Sequence, residues 1–261
     1  MKTYQFAYGS GTVEFPLEEK NIIGELHGNV VEPISDIRKE LWASLDAPID
    51  SAPLCRRVTP GSTVALVVSD MSRFWMRQDL VVPHLVDYLT QRCGVRERDI
   101  TIVIANGTHT GGDEAELRTL VTDAVYDRIT VENHDCESED LVYLGTTPHG
   151  TPVSINRTAA LADMVICLGA ATHHVMAGFG GGRKSILPGI SGRETIFHNH
   201  AFSLDATSLR SNPAVGNGIL QGNPLHEDMC EAAGLVKNLF MVNLVMNTQM
   251  RLAAIFSGHY I

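Results

Sequence analysis

The sequence predicts an α/β fold, a Rossmann-like parallel sheet with helices on both faces, and three observations carry that expectation. Short apolar, β-branched runs, "STVALVVSD" (62 to 70), "ITIVIANGTH" (100 to 109) and "MVICLGA" (164 to 170), lack the polar alternation of a sheet with one wet face. Segments of helical period stand between them, which is the pattern of strands joined by crossover helices. No internal repeat or low-complexity linker interrupts the 261 residues, so a single α/β domain is the economical expectation.

Each element has its own local reason. "TYQFAYGSGTVEF", near the start, alternates like a strand pair, and its "GSG" suits a tight hairpin turn. "SDIRKELWASLDAP" (35 to 48) is expected to be a helix capped by Ser35 and closed before Pro48. "PHLVDYLTQRCG" (83 to 94) is an amphipathic helix ending at Gly94, and "GDEAELRTLVTDAVYDR" (112 to 128) is expected to be one continuous helix. "ITVENHD" and "LVYLGTT" follow as short strands, then "VSINRTAALAD" as strand into helix, and "SNPAVGNGILQGNP" (211 to 224) as a surface loop.

Composition narrows the function classes. A formal charge of −10 argues against an electrostatic grip on nucleic acid, which needs a surplus of Lys and Arg. No apolar run has the length of a membrane span, and "MKTYQFAYGSGTVEF" lacks the apolar centre of a secretory signal, so a cytoplasmic protein is expected. Cys55, Cys93, Cys136, Cys167 and Cys230 are odd in number and widely spaced, which suggests reduced thiols and neither a disulfide framework nor a thiolate zinc site.

Sheets of this kind place their chemistry where loops leave the carboxyl ends of the strands. Three such ends carry useful residues: "SDMSR" with Asp70 and Arg73, "NGTHT" with His109, and "GAATHHVMAGFGGGRKS" with His173, His174 and Lys184. The run Gly180, Gly181, Gly182, Arg183, Lys184, Ser185 invites comparison with a nucleotide-phosphate loop. A phosphate loop, however, needs glycine directly before the lysine and leaves its strand at once. Here Arg183 occupies that place and "THHVMA" intervenes, while the spacing of a dinucleotide-binding glycine motif is also missing. What remains is a lysine in a backbone-exposing loop, with Arg183 beside it to depress its basicity. Histidine suits proton transfer and metal ligation near neutral pH. In "FHNH", His198 and His200 are two apart, so on a helix at most one would reach a given metal.

Together "SDMSR", "NGTHT", "HHVMAGFGGGRKSILPGI" and "IFHNH" resemble the lactate racemase family, the nickel-pincer-nucleotide-dependent 2-hydroxyacid racemases and epimerases, over essentially the whole chain. The resemblance implies an isomerase whose cofactor is a pyridinium-3-thioamide-5-thiocarboxylic acid mononucleotide carrying nickel. Its covalent tether falls on Lys184, within a loop that includes Gly180, Gly181, Gly182, Arg183 and Ser185. The fourth nickel ligand, beside two sulfurs and one carbon in a square plane, falls on His200. The proton-exchanging pair falls on His109 and His174, with Arg73 holding the anionic substrate and Asp70 orienting a neighbour. The implied partners are a small 2-hydroxy acid and the enzymes that make the cofactor, with no nucleic acid and no membrane. The resemblance implies that residues 1 to 261 are the family's N-terminal cofactor-binding catalytic domain, and that the family's C-terminal α/β domain, which in its members follows the point of "FSGHYI", is absent from this chain. "RFWMRQ" after the strand-end arginine departs from the family's Pro-containing segment, and Phe74, Trp75 and Met76 bring bulk toward the pocket. Two rival expectations are a non-catalytic mononucleotide-binding relative and a zinc metallohydrolase using His109, His174 and His200.

Overall fold

The structure, a computed structural model, describes residues 1–208 and 210–260. Chain contacts separate it into two units, residues 1–31 and 32–261. The first is built on a hairpin of β1 (Lys2–Tyr8) and β2 (Gly11–Leu17), paired from Lys2 with Leu17 to Tyr8 with Gly11. Its two-residue loop opens on Gly9 at φ +57, a left-handed conformation that glycine adopts without strain and that the twist of a tight hairpin favours.

The larger unit runs α1 (Ile37–Asp46), α2 (Leu54–Arg57), β3 (Val64–Ser69), α3 (Val82–Gln91), β4 (Ile100–Ala105), α4 (Glu114–Val121), α5 (Asp123–Tyr126) and β5 (Thr130–Asn133). It continues with β6 (Val142–Thr146), β7 (Pro152–Ile155), α6 (Arg157–Leu161), β8 (Met164–Ala170), β9 (His173–His174), β10 (Gly178–Phe179), α7 (Arg193–Ala201), α8 (Pro224–Gly234), β11 (Leu239–Met246) and β12 (Leu252–Gly258). The main sheet has the order β12-β11-β8-β3-β4-β5. Its pairings are parallel from β11 through β5, while β12 runs antiparallel to β11, so the expected all-parallel sheet is a mixed one. The chain starts in the middle at β3, builds outward to β5, then returns to β8 on the other side of β3 and builds outward again. That reversal leaves a crevice at the carboxyl ends of β3 and β8.

Why the apolar strands fold this way shows in their alternation. Val64, Leu66 and Val68 of β3, with Ile102 and Ile104 of β4 and Ile166 and Leu168 of β8, pack on one face against α1, α3 and α4. Val67, Val103, Val165 and Cys167 point the other way, into a second core shared with α8. Both faces are therefore dry, and each fully buried Val, Leu or Ile contributes on the order of 1.5–3 kcal/mol relative to exposure.

Three local expectations need correction. The cap of α1 is Asp36, not Ser35: its carboxylate accepts the Lys39 N–H at 3.0 Å. The helix expected over 112–128 is two, because Thr122 takes φ +76 and interrupts it between α4 and α5. Strand β4 stops at Ala105, which leaves "NGTHT" entirely to the loop. All five cysteines are free thiols, and among the described residues no helix is long and apolar enough to cross a membrane.

Candidate active site

Three loops leave the carboxyl ends of β3, β4 and β8 and converge on the crevice. After β3, a 3₁₀ segment, Met71–Met76, carries Arg73, with Asp70 at its entry. Asp70 is buried and accepts from Ser72 Oγ at 2.6 Å and from His109 Nδ1 at 2.5 Å. The Arg73 guanidinium donates to Ser72 Oγ at 3.0 Å and, among the described residues, pairs with no carboxylate. The carboxylate fixes the His109 tautomer: with the proton on Nδ1, Nε2 is left with its lone pair, the state of a general base. The loop that presents His109 is pinned by Asn106, whose amide donates to Asn133 Oδ1 and to the His134 carbonyl.

After β8 the chain makes a two-residue ladder, β9 with β10, in which His174 faces Gly178. His174 Nδ1 accepts backbone N–H groups from Met176 at 3.2 Å and Ala177 at 3.1 Å, so its ring proton sits on Nε2. The two histidines thus hold opposite tautomers. Burial, then the positive charges of Lys184 and Arg73, lower the His174 pKa to about 4, so this ring is neutral across the physiological range. His173 turns aside and stacks on Phe179, ring centroids 4.8 Å apart.

The glycine block then folds back against the sheet. Gly181 takes φ +72, and a Cβ there would lie 2.4 Å from Asn243 Oδ1 and 2.9 Å from the Ala170 carbonyl. The Gly182 N–H donates to the same Asn243 oxygen at 2.9 Å. This close seating delivers Lys184 on the turn Gly182–Ser185. Burial foremost, then the cations Arg183 and Arg73, bring the Lys184 amine down to about 8, and among the described residues it has no hydrogen-bond or ion-pair partner. His200, on α7, donates from Nδ1 to the Ile196 carbonyl at 2.9 Å, which leaves Nε2 free to ligate; burial and the Lys184 charge lower its pKa.

Asp70, Arg73, His109, His174, Gly180, Gly181, Lys184, Ser185 and His200 line one cavity of about 420 Å³. Gly182 and Arg183 do not. Arg183 is turned beneath the loop, donating to the Ala177 carbonyl at 2.7 Å, with its Nε buried and unpartnered, and it reaches Lys184 through charge. Of the "FHNH" pair only His200 faces the cavity; His198 Nδ1 contacts Thr151 Oγ1 at 3.1 Å. Among the described residues, His109, His174 and His200 do not bring three ligand atoms within 4.8 Å of one another, which weighs against a shared zinc ion. Sequence reasoning missed Ser72, which links Arg73 to Asp70, and Asn243, which seats the glycines. Asn243 left a signal, as the one polar residue in the apolar strand "LFMVNLVM".

The residues present fit a tethered, metal-bearing nucleotide. A depressed, unpartnered amine suits acylation, the bare Nε2 of the His200 imidazole suits a borderline-soft metal such as Ni(II), and Gly180 and Gly181 put side-chain-free backbone on the cavity wall.

Comparison with known proteins identifies the family and the fold. The family model described as the lactate racemase N-terminal domain matches residues 8–211. Lactate racemases from Thermoanaerobacterium thermosaccharolyticum and Lactiplantibacillus plantarum are each 28% identical over 99% of the chain and 60% of their own length. The chain therefore spans about three fifths of those relatives. The lactate racemase apoprotein structure from T. thermosaccharolyticum superposes with a TM-score of 0.84 at 27% identity, over 99% of this chain and 59% of that one. A Thermotoga maritima protein shares the fold at a TM-score of 0.61 and 20% identity, over 85% of this chain and 53% of that one.

Proposed function

The chain belongs to the lactate racemase N-terminal domain family, and from that premise we propose that it is the cofactor-bearing catalytic part of a 2-hydroxyacid racemase or epimerase. The observation that carries the proposal is the convergence of Lys184, His200, His109 and His174 on one cavity at the crevice of the sheet. In this reading Lys184 is the tether of a nickel-pincer nucleotide delivered by cofactor-synthesis enzymes, and His200 ligates its nickel through Nε2. When bound, that group supplies the acceptor and donor of hydride at the substrate Cα. Free cysteines are in keeping with a reducing, cytoplasmic setting.

The chain's own residues do the rest. Arg73, cavity-facing and with no carboxylate partner among the described residues, holds the substrate carboxylate in a charge-assisted contact. His109 Nε2 takes the hydroxyl proton as hydride leaves Cα, and Asp70 stabilises the imidazolium that forms. His174 presents Nε2–H to the oxygen of the bound 2-keto acid, and as hydride returns to the opposite face of Cα it gives that proton to the oxygen, which requires the ring to be protonated on Nδ1 as well so that a neutral imidazole is left behind. Reaction from the opposite enantiomer exchanges the roles. His174 must then hold its proton on Nδ1 and leave Nε2 bare to accept, so in both directions it releases the Met176 and Ala177 N–H groups. Acylation of Lys184 favours that exchange, because it removes one of the charges that hold His174 neutral.

The test follows the hydrogen at Cα. Full-chain protein produced alongside the cofactor-synthesis enzymes is given one enantiomer of a Cα-deuterated 2-hydroxy acid in ordinary water. The product enantiomer is expected to retain its deuterium. Solvent hydrogen at Cα would mean proton abstraction, and the hydride reading would be wrong.

A further inference from the structure

The helix that carries His200 is held by surprisingly little apolar contact. Of its nine residues, RETIFHNHA, only Thr195, Ile196 and Asn199 are buried, and one of these is a large apolar side chain. What sets its rotation is polar. Asn199, fully buried, donates from Nδ2 to the Leu225 carbonyl at 3.0 Å and to Asp228 Oδ2 at 2.8 Å. His198 contacts Thr151 Oγ1 at 3.1 Å, and the Thr151 hydroxyl donates to the same Asp228 oxygen at 2.9 Å. Thr147 donates to the other, Oδ1, at 2.6 Å. Both residues that precede His200 therefore end on one carboxylate of α8, which is itself fully buried and accepts three hydrogen bonds.

We propose that Asp228 is a positioning residue for the metal ligand: it clamps α7 so that His200 Nε2 is aimed into the cavity before any metal arrives. The inference rests on the reading of His200 as nickel ligand given above. A carboxylate fits the task because it only accepts, so one group gathers donors from Thr147, Thr151 and Asn199 without competing for their acceptors. Its charge strengthens each bond in a dry setting. The ring of His200 is fixed within its helix by the Ile196 carbonyl. That bond cannot stop the helix from turning as a body; Thr195 ties its first turn to the Pro152 carbonyl and the Ser154 N–H of β7, and Asp228 holds the last turn, where His200 sits. Partners hydrogen-bonded to a metal ligand typically change metal affinity by about 10- to 100-fold when removed, and Asp228 acts one step further back, on the helix that carries both His200 and its Ile196 partner.

The experiment uses full-chain protein, loaded by co-production with the cofactor-synthesis enzymes, and unloaded protein in parallel. Asp228→Asn removes the charge and leaves one accepting oxygen for the three donors, and Thr151→Val cuts the link from His198 with little change of shape. In both, nickel is expected to leave at least about tenfold faster than from wild type, well below the melting midpoint, while the mass gain at Lys184 persists. In the unloaded proteins, backbone amides of 193–201 are expected to exchange faster than those of the sheet strands relative to wild type. Glu231→Gln, on the same helix, removes the His149 partner and spares the clamp, so it is expected to change neither readout. Should Asp228→Asn fail to fold, Thr151→Val decides. Nickel release and α7 exchange equal to wild type in the folded variants would overturn the clamp. Wild-type protein that gains mass and holds no nickel would overturn the His200 reading instead, and the exchange measurement on unloaded protein would still judge Asp228.

Discussion

Lys184 differs from an ordinary surface lysine in that burial and two arginines destabilise its charged form while no carboxylate repays it. Its amine is expected to react with a water-soluble acylating reagent with a midpoint near pH 8; a midpoint in the usual lysine range, above 10, would show that the side chain reaches solvent. The motif named this residue, but its burial and the approach of Arg73 from another strand end, which lower its basicity, come only with the fold. Asp70 makes a second residue-scale test. Asp70→Asn keeps the shape and can leave His109 with its proton on the wrong nitrogen, so racemisation by loaded protein is expected to fall by about 10²–10⁴-fold with little loss of stability. A loss under about threefold would remove Asp70 from the mechanism. The opposed tautomers are visible directly by imidazole ¹⁵N NMR: His109 is expected as the Nδ1–H form and His174 as the Nε2–H form.

At the scale of elements, the glycine loop is tightly seated on the sheet. Gly181→Ala places a methyl group 2.4 Å from Asn243 Oδ1 on a left-handed backbone, and is expected to cost about 1–3 kcal/mol of stability, measured by denaturant unfolding. An unchanged midpoint would mean the loop is not seated on β11. The buried strands β3, β4 and β8 were legible because unbroken β-branched runs have few other uses, and the hairpin because "GSG" supplies the turn. The break at Thr122 was not, since "TLVTDAVY" keeps its apolar spacing through the interruption. Ser35 and Asp36 are both good caps, and neighbours of equal propensity cannot be ranked without the backbone angle.

For the whole molecule, the sheet order explains why residues as far apart as Asp70 and His200 meet: β3 and β8 are neighbours whose following loops leave the same edge. Strand-end chemistry was therefore legible in outline, while the antiparallel β12 and the Asp228 network were not, because both depend on partners far along the chain. The same burial sets a pH dependence. His174, His200 and His134 all have pKa values lowered in the fold, chiefly by burial, so the unfolded chain binds more protons below about pH 6.5. Stability is expected to fall as pH drops from about 6.5 toward 4, partly offset by His149, whose pKa Glu231 raises. A melting midpoint that held or rose on going from pH 7 to pH 5 would contradict this. The central claim is that one cavity joins a covalent tether to a metal ligand, and intact-mass spectrometry with nickel analysis of protein produced alongside the cofactor-synthesis enzymes tests it most directly. The expected result is a nucleotide-sized mass gain with about one nickel per chain in wild type, the gain lost in Lys184→Ala and the nickel lost in His200→Ala. An unmodified wild-type mass, or an undiminished gain in Lys184→Ala, would contradict it.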